Sequence, residues 1–275
     1  KWAGGPMGTN EALAAVSLTD VRLGPGKFDV KLVDCERKVN VNAVPPPVLL
    51  QALKLVGVDV SEANQVSDSI LDWIDPDDQP RIAGAESDYY LSLTPPYQAK
   101  NGPLDDLTEL MLIRGVTPDM FYGTDLSKID VPRSATGRAL VVNKYTGPIY
   151  TNALRDIFTT TSVRFVNLNT ASALVLQTVL GVDGPTAQAI INRRAGLDGQ
   201  DGTEDDVPFR SVGELTGVPG INPAAVQQLS QILSVRSATF EVSVEVDIGG
   251  QKRTMVALIY RLNPRDVRTL YTHWK

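Results

Sequence analysis

The sequence predicts an α+β protein in which the two ends of the chain build an antiparallel sheet and the middle is helical. Three observations carry this reading. Near the start, Phe28, Val30 and Leu32 alternate with Asp29 and Lys31 directly after the turn residues Gly24-Pro25-Gly26, the period-2 pattern of a strand with one apolar face. At the far end, Phe240, Val242, Val244, Val246 and Ile248 alternate with Glu241, Ser243, Glu245 and Asp247 up to Gly249-Gly250, and the run Met255 to Tyr260 follows. Two β-runs around a Gly-Gly step predict a hairpin, and the second run, apolar on both faces, predicts an interior strand. Between the ends the pattern changes to short helices with explicit start and stop signals.

Taken in order, a short helix-like run covers Glu11 to Val16, and the first strand follows. Pro45-Pro46-Pro47 opens a helix over Val48 to Leu55, Gly57 ends it, and Ser61 caps a second helix that runs to Ile74 before Asp75-Pro76. The same signals recur after Asn169-Thr170: apolar Leu174, Val175 and Leu176, a break at Gly181, and a helix from about Pro185 to Arg194 closed by Gly196. Setting Val39-Asn40-Val41-Asn42 on Val166-Asn167-Leu168-Asn169 brings Val48 onto Val175, Leu49 onto Leu176 and Leu53 onto Leu180 without a gap. Further along, Glu109-Leu110 meets Glu214-Leu215, Gly115 meets Gly220 and Pro118 meets Pro223. Asp106 with Glu109, and Ser211 with Glu214, have capping-box spacing, while Thr117-Pro118 and Asn222-Pro223 place a cap residue before proline at the first helical position. Cap residues are common, but the shared order of so many signals predicts a duplicated unit, 39–121 and 166–226. The Asn-x-Asn steps are read as helix entries. Ser127 to Ser162 joins the copies and contains a strand-like Ala139 to Val142 patch. The expected organisation is a first sheet segment 1–43, an inserted helical domain 44–235, and a second sheet segment 236–275.

Composition narrows the function. The formal charge of -6 repels a phosphate backbone, and no basic patch stands out. No run approaches the roughly 18 consecutive apolar residues of a membrane span. Cys35 is the single cysteine, which excludes an internal disulfide and a thiolate metal cage, and it reads as a buried small hydrophobe. His273 is the single histidine and is expected on a mobile tail, so a nucleophile-base-acid arrangement has no base to build on. The chain therefore reads as non-enzymatic.

The richest candidate site is Asp198-Gly199-Gln200-Asp201-Gly202-Thr203-Glu204-Asp205-Asp206. Its carboxylates, Asp198, Asp201, Glu204, Asp205 and Asp206, repel one another unless solvated or bridged by a cation, and the two glycines permit a tight backbone path. Calcium suits such oxygen ligands, whereas zinc would want histidine or cysteine. The loop is not an EF-hand, since Asp198 and Asp201 are three apart and Phe209 stands where the bidentate glutamate would be. A solvated acidic turn is the competing reading. The first copy has its own acidic loop, Asp75, Asp77 and Asp78, with Glu86 and Asp88 downstream, and ordinary turn chemistry accounts for it more readily. A rival function is nucleic-acid binding by a helix-hairpin-helix module, because Gly217-Val218-Pro219-Gly220-Ile221 has the form of such a hairpin and Arg193-Arg194 could meet phosphates. The acidic loop that follows and the net charge oppose it.

An ordered set of motifs carries a family resemblance: Phe28 to Asp34, Lys38-Val39-Asn40-Val41-Asn42-Ala43, Leu71-Asp72-Trp73-Ile74-Asp75-Pro76-Asp77-Asp78, Tyr89-Tyr90, Pro95-Pro96-Tyr97, Asn101-Gly102-Pro103-Leu104, Glu109-Leu110, Gly115-Val116-Thr117 and the final hairpin. Together they resemble the minor pseudopilin K of type II secretion systems over nearly the whole chain. The resemblance implies a pilin-like antiparallel sheet with a large inserted helical domain. It also implies the periplasmic part of an inner-membrane protein of a Gram-negative bacterium, placed at the tip of the pseudopilus with minor pseudopilins I and J. Some members bind calcium in the helical domain. The family's prepilin leader and hydrophobic N-terminal helix, its route into the membrane, are absent from this sequence, which is expected to be a soluble piece. Cys35 stands where many relatives have an acidic residue before Glu36.

Overall fold

The computed structural model describes residues 18–126, 147–203, 205–263 and 265–275. The run Glu11 to Val16, the patch Ala139 to Val142, and Glu204 lie outside the described residues. One five-stranded sheet contains β1 (Val21–Leu23), β2 (Gly26–Asp34), β3 (Thr239–Ile248), β4 (Gln251–Asn263) and β5 (Asp266–Trp274), antiparallel and adjacent in that order. Phe28, Val30 and Leu32 lie opposite Val246, Val244 and Val242, and these lie opposite Arg253, Met255 and Ala257, so the alternating apolar residues share one face. Ile248 and Gln251 pair across Gly249 and Gly250, whose φ values of 60° and 84° are the left-handed pair that a tight hairpin needs and glycine supplies. β4 is interior as expected, with Val256, Ala257 and Leu258 buried. His273 is not on a loose tail: it sits in β5, its ring stacked on Tyr271 with centroids 6.0 Å apart. Polar and apolar residues mix on both sides of β5, so no clean alternation announced it.

The chain divides into two compact units, residues up to Ala43 with those from Thr161, and Val44–Thr160. The expected insertion 44–235 therefore spans this division, and its second copy shares a unit with the sheet.

In Val44–Thr160, α1 (Pro46–Val56) starts on prolines and stops at Gly57, which at φ 104° returns its N–H to the carbonyls of Leu53 and Lys54. α2 (Val60–Ile74) is capped by Asp59, whose carboxylate accepts the N–H of Ser61, so the cap falls two residues before the serine the sequence suggested. Buried Leu49, Ala52, Leu53 and Val56 meet buried Ala63, Val66, Ile70 and Trp73, each set at helical spacing. α3 (Ser87–Leu91), a 3-10 turn over Leu107–Leu112, α4 (Pro118–Tyr122) and α5 (Leu154–Ile157) follow among the described residues of this unit. Asp106 and Glu109 form the expected capping box.

The second copy repeats these devices. α6 (Ala173–Leu180) runs from Ser172 to a left-handed Gly181, α7 (Gly184–Arg194) is capped by Asp183, and α8 (Pro223–Leu229) is capped by Asn222. Gly115 and Gly220, matched in the alignment, have φ values of 85° and 87°, and a Cβ on either would press on the second helix of its own copy: 2.9 Å from Val66 and 2.4 Å from Thr186. One device differs. Ser211 makes no cap bond, and Glu214 accepts from the Arg210 N–H and pairs with Arg193 at 2.6 Å.

The second copy is tied to the sheet by buried polar groups. Asp34, at the end of β2, accepts from the Glu36 N–H at 2.8 Å, Asn167 Nδ2 at 3.1 Å, Thr170 Oγ1 at 2.5 Å and Ser237 Oγ at 2.6 Å. Glu36 Oε1 accepts the N–H groups of Ala238 and Thr239, where β3 begins. Asn169 clamps the chain at Phe209 in both directions and also donates to the Val235 carbonyl. Both Asn-x-Asn steps form the same turn, Asn40 Oδ1 accepting from the Asn42 N–H and Asn167 Oδ1 from the Asn169 N–H, each at 2.9 Å.

Asp34→Ala strands several buried donors and should cost about 3 kcal/mol or more in urea unfolding; a change within about 0.5 kcal/mol, the range of a neutral surface substitution, would show that the network is dispensable. Gly220→Ala should cost more than Gly181→Ala, since both have positive φ but only the first meets a side chain.

Candidate metal centre

In the second acidic loop, four of the five predicted carboxylates lie among the described residues, and local groups occupy each of them. Arg194, itself 3% exposed, holds Asp201 through Nε at 3.0 Å and Nη2 at 2.7 Å, while its Nη1 donates to the Leu168 carbonyl. Asp205 accepts from the N–H groups of Leu197 and Asp198 and from Thr203 Oγ1, bonds that hold its pKa down at about 2. Asp206 accepts from the N–H groups of Gly202 and Thr203, and Asp198 from that of Gln200. These are the contacts of a self-supporting acidic turn. Among the described residues, no three of them bring carboxylate oxygens together at metal-binding range.

The first loop differs. Asp75, Asp77 and Glu86 each place an oxygen within 4.8 Å of the others. Glu86 is 4% exposed, yet neither of its oxygens has a hydrogen-bond partner, and the same is true of Asp75 Oδ1. Burial raises the Glu86 pKa to about 7, and the negative charges of Asp72, Asp75, Asp78 and Asp77 add to it. Beside them, fully buried Asp72 accepts from Arg81 Nη1 at 2.6 Å, and the same nitrogen reaches Asp75 Oδ2 at 2.5 Å. Gly84 is required here, because a Cβ would stand 1.8 Å from Asp72 Oδ2. Asp78, named from sequence, turns instead toward the Ser87 N–H. The loop thus leaves carboxylate oxygens unsatisfied in a buried place, a cost that a hard divalent cation removes; with no histidine or cysteine in the set, calcium fits the donors and zinc does not. Sequence reasoning ranked this loop second, since only the fold returns Glu86 to Asp75 and Asp77.

Other candidates carry no chemistry. The buried Cys35 thiol is pushed up to about 11, chiefly by burial, against the opposing hydrogen bond from Thr161. Arg193 and Arg194, the expected phosphate contacts, are engaged by Glu214 and Asp201, and Arg193 also lies over the Phe209 ring. The helix-hairpin-helix nucleic-acid reading is accordingly not favoured.

The fold is α+β, an antiparallel sheet built from strands near both ends of the chain with helices between them. Residues 26–123 match the family "Type II secretion system (T2SS), protein K", and residues 162–234 match the helix-hairpin-helix motif. Among curated proteins, type II secretion system protein K of Pectobacterium carotovorum subsp. carotovorum is 32% identical over 32% of this chain and 27% of its own. The protein of the same name from Klebsiella pneumoniae is 28% identical over 35% and 33% respectively, and that of Pseudomonas aeruginosa 24% over 89% and 61%. These matches span from about a quarter to three fifths of the relatives' lengths. The crystal structure of the GspK-GspI-GspJ complex from enterotoxigenic Escherichia coli contains a chain of the same fold, with a TM-score of 0.64 at 19% identity, covering 95% of this chain and 84% of that one. Over residues 26–123 the chain is similar to type II secretion system protein K, as its motifs implied, and it shares a fold with a chain of the GspK-GspI-GspJ complex.

The Glu86 pKa sets a pH dependence. An unfolded glutamate loses its proton near 4.5, and the folded one at about 7. Stability conferred by the proton is therefore complete below about pH 4.5 and lost as pH rises through about 7. In chelator, the melting temperature should fall across this window, and Glu86→Gln should reduce the fall. An equal fall in both proteins would remove Glu86 as its source.

Proposed function

We propose that this protein is a minor pseudopilin that caps the tip of a type II secretion pseudopilus and has a structural role in protein export, without catalysis. One observation carries the reading: β2 ends at Asp34 and β3 re-enters at Thr239, with Asp34 paired to Phe240, so the whole insertion leaves and returns at one end of the sheet. The residues inserted between Asp34 and Thr239 far outnumber those of the sheet itself, which supports a terminal place in a filament over an internal one. Its partners in this reading are minor pseudopilins I and J of the same system, as in the complex of the Escherichia coli relative. The protein is placed in the periplasm of a Gram-negative bacterium, anchored in the inner membrane by an N-terminal helix. No single helix among the described residues is long and apolar enough to cross a membrane. The half-exposed face bearing Phe28, Val30, Val242 and Val244 suits a packed helix.

Antibody label raised against Val44–Thr160 should decorate one end of isolated pseudopili, and label along the shaft would overturn the capping role. Co-expression with I and J should give a ternary complex; their failure to co-purify would remove the partners.

Calcium is the proposed ligand. The unsatisfied oxygens of Glu86 and Asp75 support Asp75, Asp77 and Glu86 as its holders over Asp198, Asp201, Glu204, Asp205 and Asp206. There it would neutralise buried negative charge and fix the loop. Calcium at about 100 times its dissociation constant should add about 2.7 kcal/mol of stability, and magnesium should not reproduce this. Glu86→Gln should abolish the gain while Asp198→Asn keeps it; the reverse pattern would return the site to the second loop.

A further inference from the structure

Asp75, Asp77 and Glu86 repel one another when no cation lies between them, so each needs something to hold it in place. Burial confines Glu86, and Asp77 Oδ1 accepts the Gln79 N–H at 3.0 Å. Asp75 follows the last turn of α2 as its C-cap, with a side chain 23% exposed, and could turn toward water. Arg81 prevents this. One guanidinium nitrogen, Nη1, donates to Asp75 Oδ2 at 2.5 Å and to Asp72 Oδ1 at 2.6 Å. Asp72 is a fixed anchor: it is fully buried in α2 and also accepts the backbone N–H of Arg81, 3.3 and 3.2 Å from its two oxygens. With Oδ2 tied back, Asp75 keeps Oδ1 buried without a partner, in a carboxylate within 4.8 Å of those of Asp77 and Glu86.

A positive charge beside a cation site can act in two opposite ways. As a charge alone, the guanidinium repels a divalent ion, and its removal would tighten binding. As a clamp, it orders a ligand before the ion arrives, and its removal would loosen binding. The geometry favours the clamp. Two carboxylates share the one guanidinium, so the group as a whole remains negative, and Arg81 occupies the oxygen of Asp75 opposite the unpaired one. The loop also has moorings that do not need this side chain: the Ala83 N–H donates to Asp68 Oδ2, and Arg114 Nη1 to the Gly84 carbonyl, each at 3.1 Å. Loss of the guanidinium therefore leaves the path of the loop in place.

We propose that Arg81 is a positioning residue for the cation site, holding Asp75 against buried Asp72 so that its other oxygen is presented, with Asp77 and Glu86, to calcium. This role rests on the calcium reading of the loop. The test is isothermal titration of the full chain, freed of metal by chelator, with calcium alone. Arg81→Gln should weaken calcium binding at least about tenfold, the scale expected for a group that orients a metal ligand. Arg81→Lys should recover most of that loss, because a single nitrogen makes both contacts and an ammonium can make them too. Tighter binding by Arg81→Gln would reduce the guanidinium to a repelling charge, and unchanged binding would make it a bystander. Equal losses in the glutamine and lysine variants would assign the effect to the fold of the loop. Each of these three results overturns the proposal while leaving the calcium site standing. If the unaltered protein takes up no calcium, the site itself is removed, and the role of Arg81 with it.

Discussion

The Asp34 carboxylate terminates β2 and gathers donors from Asn167 and Ser237, which lie 133 and 203 positions further along the chain. A buried carboxylate is costly unless its lone pairs are filled, so these partners specify where the second helical copy and the start of β3 must be. Glu36 extends the effect by accepting the first two N–H groups around the β3 entry. Burial raises its pKa, and those backbone donors pull in the other direction. The sheet is continuous although its strands are far apart in sequence, because this polar junction registers Asp34 against Phe240.

The two matched segments show how one local plan can reach two ends. Both have an aspartate cap on the second helix, a left-handed glycine exit from the first and a hairpin glycine pressed on the second helix. The Asn-x-Asn turn is common to both, yet Asn167 and Asn169 use their amides to bind Asp34, Phe209 and Val235. Read as plain helix entries, they are also the clamps that join the second copy to the sheet. The acidic loops differ in the same way. Arg194 and local amides satisfy one set of carboxylates, and the other set keeps Glu86 buried without a partner.

The edge strand and the polar junction lie at different levels of constraint. Around Asp34 each donor has a defined acceptor, which favours one arrangement of the chain. Along β5 the residues from Val267 to Trp274 are exposed, and no such buried polar network fixes them.

The sequence by itself determined the α+β class, the end-to-end sheet, the β3-β4 hairpin, the helix boundaries in both copies and the family motifs, because alternation, caps and glycine turns act over a few residues. It mistook Ser61 for the cap that Asp59 provides, closed a box at Ser211 that does not form, and gave His273 a loose tail. Each error is a choice between neighbours that local pattern leaves open. Only the tertiary structure decided that Glu86 meets Asp75 and Asp77, that Arg194 neutralises Asp201, and that Asp34 binds Asn167 and Ser237. Those outcomes depend on which groups the fold buries together, and burial, unlike periodicity, is not written in the spacing of residues along the chain.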